Sequence, residues 1–193
     1  MFEADELRMI LNHAEGPLRA WILLGINCGF GAADLSELST SAIDMERGWI
    51  DFPRPKTGVE RKCPLWAETV EALREAIARR PGAKSVDDAG KVFLTVRGLP
   101  LIRTDEKTKC DEVAVRFGRL IRKLKLHRKG RGFYDLRRTF RTVADGAKDQ
   151  VAANAIMGHS DPSMAGIYRQ QIDDDRLQDV VQHVHTWLFG KAV

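Results

Sequence analysis

Apolar positions recur at helical spacing through most of this 193-residue chain and alternate at strand spacing in one short region. Leu7, Ile10, Leu11 and Ala14 share one face and predict a helix from Asp5 that stops at Gly16-Pro17. Pro17 suits the first position of a second helix, Leu18 to about Cys28, which is apolar nearly all round and therefore expected at the centre of the core. Gly29-Phe30-Gly31 breaks it, and Asp34 is placed to cap a short helical turn through Leu38. Gly48 to Phe52 alternates and predicts a strand, paired with Arg61 to Leu65. The turn residues Pro53 to Gly58 lie between them, with Lys56 at or near the tip. Ala67 to Arg80 reads as a helix closed by Pro81-Gly82, Lys84 to Gly90 as polar loop, Val92 to Thr95 as a possible third strand, and Arg97 to Lys109 as irregular.

Further helices are predicted over Asp111 to Leu126, Tyr134 to Asp145 and Gln150 to Met157, the last closed by Gly158. Asp161-Pro162 opens another that ends near Tyr168. In the final helix, Asp173 to Leu188, residues Leu177, Val180, Val181, Val184, Trp187 and Leu188 form an apolar stripe, which packs either on its own domain or on a neighbour. The predicted class is mainly α with a small antiparallel β-sheet (α+β), in a single domain over residues 1–193.

Composition narrows the function. Hydrophobic residues make up 44% and charged residues 30%, ordinary for a globular chain that buries a core. The net charge is only +4, but the distribution is uneven: Arg116 to Arg141 carries eleven Lys/Arg and one acid, Asp135. Clustered cations of this kind suit a polyanion, although a basic run can also be no more than a solvated helix face. Cys28, Cys63 and Cys110 are an odd number without CxxC spacing, which argues against a disulfide framework or a zinc site and suits a reducing compartment. Cys28 lies in an apolar run, as a buried small hydrophobe would. The acidic start MFEADEL is no signal peptide, and the longest apolar run is too short to span a bilayer, so the expected location is the cytoplasm.

Chemistry-bearing residues gather between Gly132 and Tyr168. Tyr134 and Arg137 are three apart, and His159 precedes Tyr168 by nine. A phenol held among cations can act as a covalent nucleophile, and a phosphodiester is the natural electrophile for such a site. Arg137 suits bidentate contact with phosphate, or an ion pair with Asp135. Lys56 becomes a candidate general acid only if the hairpin closes on a ligand; otherwise it is a solvated lysine. His159 could equally bond a backbone carbonyl. There is no phosphate-binding G-x-x-x-x-G-K-[ST] loop and no metal-ligand spacing, His183 and His185 included, so neither a nucleotide cofactor nor a metal is expected.

Taken together, these segments resemble the catalytic domain of the tyrosine recombinase (phage integrase) family over almost the whole chain. FEADELRMIL resembles the domain-opening helix, PRPKTGVERKCPL the lysine hairpin, YDLRRTF the H-x-L-R-H-T box, and GHSDPSMAGIYRQ the box that carries the nucleophile. NCGFGAADLSEL lies where the family has T-G-L-R-x-S-E-L.

The resemblance implies site-specific DNA strand cleavage and rejoining through a 3′-phosphotyrosine link, as in integration or recombination. Tyr168 would be the nucleophile, Arg137 and His159 the donors to the phosphate, and Lys56 the general acid. The double-stranded DNA partner would be contacted by Arg54, Arg61, Arg131 and Arg138. Subunits would assemble on DNA through the C-terminal helix, residues 173–193.

Two positions depart from the pattern. The family's first arginine falls on Gly31, and losing one such donor costs roughly 10²–10³ in rate. The family's histidine in the middle box is Tyr134, whose phenol can donate a hydrogen bond but accepts a proton poorly near neutrality. Arg54, Arg61 or Arg138 could make up for Gly31. The family's N-terminal DNA-clamping domain has no counterpart in these 193 residues, which implies weak, salt-sensitive binding by the chain alone. Two alternatives share the fold: a DNA-binding relic without cleavage, and a type IB topoisomerase-like relaxing enzyme.

Overall fold

The computed structural model describes residues 1–104, 109–159 and 172–190. Helices α1 (Ala4–His13), α2 (Pro17–Asn27) and α3 (Ala32–Glu37) are followed by strands β1 (Ile43–Asp44), β2 (Trp49–Asp51) and β3 (Lys62–Pro64). Then come α4 (Ala67–Ala78), a second small hairpin of β4 (Ile102–Thr104) and β5 (Lys109–Asp111), α5 (Glu112–Lys123), α6 (Tyr134–Ala144), α7 (Gln150–Met157) and α8 (Asp174–Phe189). The predicted class holds: a helical body with small antiparallel sheets, one in the order β1-β2-β3 and one pairing β4 with β5.

Helix α2 is the axis of the body. From Ala20 to Asn27 every residue is buried, and the helix packs against α4, α5, α6 and α8. Its crossing with α6 is close. A Cβ on Gly25 would stand 2.9 Å from Leu136 Cδ1 and 3.3 Å from Phe133 Cζ, so only glycine fits without moving α6. At the end of α2 the buried Asn27 joins three segments. Its Oδ1 accepts from the Trp66 amide at 2.9 Å and from Thr69 Oγ1 at 3.0 Å, and its Nδ2 donates to the Pro64 carbonyl at 3.0 Å. One side chain thereby holds β3 and the start of α4 against the central helix.

Sequence and structure differ in the sheets. Val92 to Thr95 is buried coil rather than a third strand; Phe93 meets Trp21 edge-on at 6.0 Å between centroids. The third strand is β1, paired antiparallel to β2 through Ile43–Ile50 and Asp44–Trp49. A short apolar run signals burial but not pairing, so periodicity alone could not separate the two. The β4–β5 hairpin lies where an irregular segment was expected, because its strands are three residues long and mostly polar. The N-cap position itself is Gly31, and Asp34 caps α3 from inside the helix. It sits at the third position of α3 and reaches back to accept the Gly31 amide at 2.6 Å.

The apolar stripe of α8 is used within the chain. Leu177, Val180, Val181, Val184 and Leu188 are buried against α1, α6, α7 and β3. Polar links fasten the same helix. Lys62 Nζ reaches Asp174 at 2.7 Å, Arg176 forms a two-pronged pair with Asp149 at 2.7 and 2.8 Å, and the Trp66 indole donates to the Val181 carbonyl at 3.0 Å. Trp187, the sixth residue of the stripe, is half-buried.

Asn27→Ala removes a side-chain donor to the Pro64 carbonyl and the side-chain acceptor of the Trp66 amide in one step. We expect a loss of roughly 2–4 kcal/mol in unfolding free energy, read as a lower urea midpoint with an unchanged m-value.

Candidate active site

The α6 helix carries Tyr134, Arg137, Arg138 and Arg141, a spacing of three and four that sets them along one side. Arg137 is 2% exposed, and its guanidinium bridges three segments. Nη1 donates to the Gly29 carbonyl at 2.5 Å, and Nη2 donates to the Met157 carbonyl at 2.8 Å and faces His159 Nε2 at 2.9 Å. The end of α2, the end of α7 and the start of α6 thus meet at one cation. The bland expectation for Arg137, an ion pair with Asp135, does not hold. Asp135 instead accepts from the Gly132 amide at 2.8 Å and from Arg138 at 3.2 Å.

His159 follows Gly158, which closes α7 in the left-handed region (φ +62°), as its glycine suggested. The His159 amide donates to the Asn154 carbonyl at 2.9 Å. Because an arginine N–H points at Nε2, that nitrogen is the acceptor and Nδ1 carries the proton. Burial, and then the charges of Arg137, Arg54 and Arg141, hold the imidazole below its ordinary pKa, so it is neutral near pH 7. For Arg137 burial is also the largest depressing influence, followed by the charge of Arg54.

A cavity of about 510 Å³ opens on these groups, walled by Met1, Tyr134, Arg137, Arg138, Arg141, Thr142, Met157 and His159. Among the described residues three guanidiniums, an imidazole and a phenol line it, and no carboxylate does. Tyr134 is 54% exposed at its mouth, with the Arg138 guanidinium 5.3 Å from the ring centroid. Such a pocket takes an anion bearing several acceptor oxygens and can stabilise added charge on it. Arg141 is the residue that sequence reasoning missed. Its position four after Arg137 was the available signal. It donates to Asn154 Oδ1 at 2.6 Å and pairs with Asp145 at 3.1 Å.

The remaining expected residues fall into three groups. Lys56 is exposed on the turn between β2 and β3 and does not wall the cavity. Arg54 is half-buried on the same turn.

Arg61 and Arg131, expected at a DNA surface, are interior. Arg61 lies 4.0 Å from the Phe30 ring centroid and 5.4 Å from that of Phe52, and its Nε donates to the Phe52 carbonyl at 3.0 Å. The Asp34 carboxylate is 3.1 Å from Nη2, a close charge contact but off the N–H direction, so among the described residues neither terminal nitrogen has a hydrogen-bond acceptor. Arg131 stacks on Phe2 at 4.0 Å and binds Glu6 and the carbonyls of Met1 and Leu126. Both are enclosed because each neutralises a buried or half-buried acid beside an aromatic ring. Tyr168 lies outside the described residues, as does the helix expected from Asp161-Pro162. Among the described residues no group of three His, Cys, Asp or Glu side chains is gathered as a metal site, and no helix is long and apolar enough to cross a membrane.

A buried arginine, a neutral histidine and a cation-lined pocket on this helical frame make a site suited to an anion with several acceptor oxygens. The chain belongs to the phage integrase family, the tyrosine recombinases, whose family model matches residues 1–175. Among curated proteins none matches it.

Solved structures similar to it include the Tn1549 transposon integrase in complex with circular intermediate DNA, at 22% identity and a TM-score of 0.68, covering 95% of this chain and 66% of that one. The crystal structure of XerA recombinase is similar at 19% identity and TM-score 0.67, covering 94% and 63%. A lambda integrase dimer bound to a COC′ core site is similar at 22% identity and TM-score 0.58, covering 90% and 49%. The chain therefore spans just under two thirds, or less, of each of these proteins.

Two outcomes follow from the site geometry. The His159 C2–H resonance should titrate below the ordinary value of about 6.5. A histidine with a lowered folded pKa binds fewer protons than the unfolded chain does. Its contribution to stability is therefore present above about pH 6.5 and lost as pH falls through the lowered pKa, and a denaturation series from pH 7.5 to 5 reads this. Gly158→Ala should destabilise the fold by roughly 1–2 kcal/mol in chemical denaturation, because the left-handed backbone and the contact at 3.0 Å with Arg54 Cβ both oppose a methyl group.

Proposed function

We propose that this chain cleaves and rejoins DNA strands through a transient link between Tyr168 and a 3′ phosphate, as in integration or site-specific recombination. One observation carries the reading: among the described residues the wall charges of the 510 Å³ cavity are all cationic, and they gather around Arg137 and His159, the latter nine residues before Tyr168. The Tyr168 oxygen attacks the phosphorus and its proton passes to solvent. The P–O5′ bond breaks, and the leaving oxygen takes a proton from Lys56 once the hairpin turn closes over the duplex. Arg137 and the Nδ1–H of His159 donate to the non-bridging oxygens, where charge develops in the transition state. Tyr134 and Arg138 border the cavity and touch the same phosphate or its neighbours. Attack by a 5′ hydroxyl on the phosphotyrosine rejoins a strand and conserves the phosphodiester bond energy. Assembly of subunits on DNA through the C-terminal helix belongs to this proposal.

A second reading, DNA binding without cleavage, is favoured by a different observation: position 31, where the resemblance places an arginine, is glycine. A pool of randomised duplexes, each nicked a few bases from one end so that cleavage releases a short fragment, separates the two. We expect SDS-resistant protein–DNA adducts that are absent with Tyr168→Phe and reduced roughly 10²–10³-fold with Arg137→Ala. Intact duplex binding by the unaltered chain with no adduct at any sequence would overturn the enzyme reading in favour of the second.

A further inference from the structure

We propose that Arg54, on the turn between β2 and β3, supplies the second guanidinium of the phosphate site in place of the one that position 31 lacks. The inference rests on the strand-cleavage reading and assigns a residue to that reaction. A Cβ on Gly31 would meet nothing but the Asp34 carboxylate, at 3.5 Å, so no described side chain fills the place where an arginine at 31 would begin. Arg61, beside the same carboxylate, has no exposed side-chain surface and is held by Phe30, Phe52 and Asp34. Arg138 and Arg141 wall the cavity, but each pairs with an acid on its own helix or just beyond it, Asp135 and Asp145.

Arg54 differs in place and setting. Its amide donates to the Val59 carbonyl at 2.9 Å, and its carbonyl accepts from Thr57 and Gly58 at 3.1 and 2.8 Å, so the turn fixes its backbone. Its stem crosses Gly158, where a Cβ would stand 3.0 Å from Arg54 Cβ and 3.3 Å from Arg54 Cδ. Gly158 lies between Met157, whose carbonyl binds Arg137, and His159, which contacts Arg137 directly. The stem therefore crosses the chain one residue from His159 and one residue from the carbonyl that binds Arg137, approaching from the hairpin rather than from the cavity wall. Its charge also depresses the pKa of Arg137 and of His159. Like charges held this close repel in the free protein, and an anion received between them relieves that repulsion. The bare Gly158 thus has two uses: it takes the left-handed turn, and it leaves the room through which a hairpin arginine reaches the site.

Two measurements on the 193-residue chain test the assignment. In the first, ¹⁵N-labelled protein is titrated with inorganic phosphate. The Nε–H signal of Arg54 should shift together with the ring signals of His159, and Arg54→Ala should weaken the midpoint seen at His159 at least about fivefold. An Arg54 signal that does not respond overturns the proposal whether or not the protein cleaves DNA, so its failure is distinguishable from failure of the strand-cleavage reading. In the second, single-turnover cleavage is followed on a duplex taken from the adduct selection. Arg54→Ala should slow adduct formation roughly 10²–10³-fold, with Arg54→Lys intermediate. On the same duplex with an uncharged methylphosphonate at the scissile position, the deficit should shrink to about tenfold or less, because a neutral phosphate needs no second cation. Cleavage by Arg54→Ala within about threefold of the parent overturns the proposal. An equal deficit on both duplexes also overturns it, since that marks a general DNA-binding or structural role.

Discussion

The site depends on one buried guanidinium. Arg137 is enclosed at the meeting point of α2, α6 and α7, where it bonds two backbone carbonyls and faces an imidazole. Among the described residues no carboxylate hydrogen-bonds this buried cation, which is costly, and carbonyl dipoles meet only part of that cost. What remains is a positive charge held in a fixed place, beside a histidine whose pKa burial and then this charge hold down. Preorganisation of this kind places the strain of like charges in the folded state, so that a bound anion is favoured without rearrangement. The rest of the body reads as support. Gly25 lets α6 approach α2, and Asn27 pins β3 and α4 to the same helix just before the Gly29 carbonyl that Arg137 uses.

A second buried arginine has the opposite character. Arg61 lies 3.1 Å from the Asp34 carboxylate and near the rings of Phe30 and Phe52, so it acts as packing for the hairpin base. Asp34 also accepts the Gly31 amide, so this one carboxylate joins the turn after α2 to the start of β3. The hairpin is consequently rooted in the core at one end and exposed at Lys56 on the other. That arrangement suits an element that must present cations to a ligand from a firm base. Arg54 stands between these extremes, half-buried and against Gly158.

The last helix explains how the tyrosine-bearing segment is bounded. His159 is held by Arg137 on one side. On the other, the start of α8 is tied by Asp174 to Lys62 of β3 and by Arg176 to Asp149 at the head of α7. The Lys62 link joins the far end of the segment directly to the hairpin strand that follows Arg61. Ion pairs at half-exposed positions contribute little stability each, but they set the register of α8 on the domain.

Much of the helical frame was legible in the chain. The period of Leu7, Ile10 and Leu11, the all-apolar run of α2, the glycine that closes α7 and the stripe of α8 are local signals, and each became the element expected. The family was legible too, because its motifs are short, ordered and specific. Side-chain environments were not, and they decide the site. Nothing near Arg61 or Arg131 in sequence marks them as interior, because the partners that enclose them, Asp34, Phe30, Phe2 and Glu6, are brought in by distant segments. Val92 to Thr95 became core filling rather than strand because pairing needs a neighbour's backbone as well as apolar side chains. The α8 stripe was internal because α1, α6, α7 and β3 converge on it. Backbone period is a property of neighbours along the chain; burial and charge pairing are properties of neighbours in space, and only the folded chain assigns those.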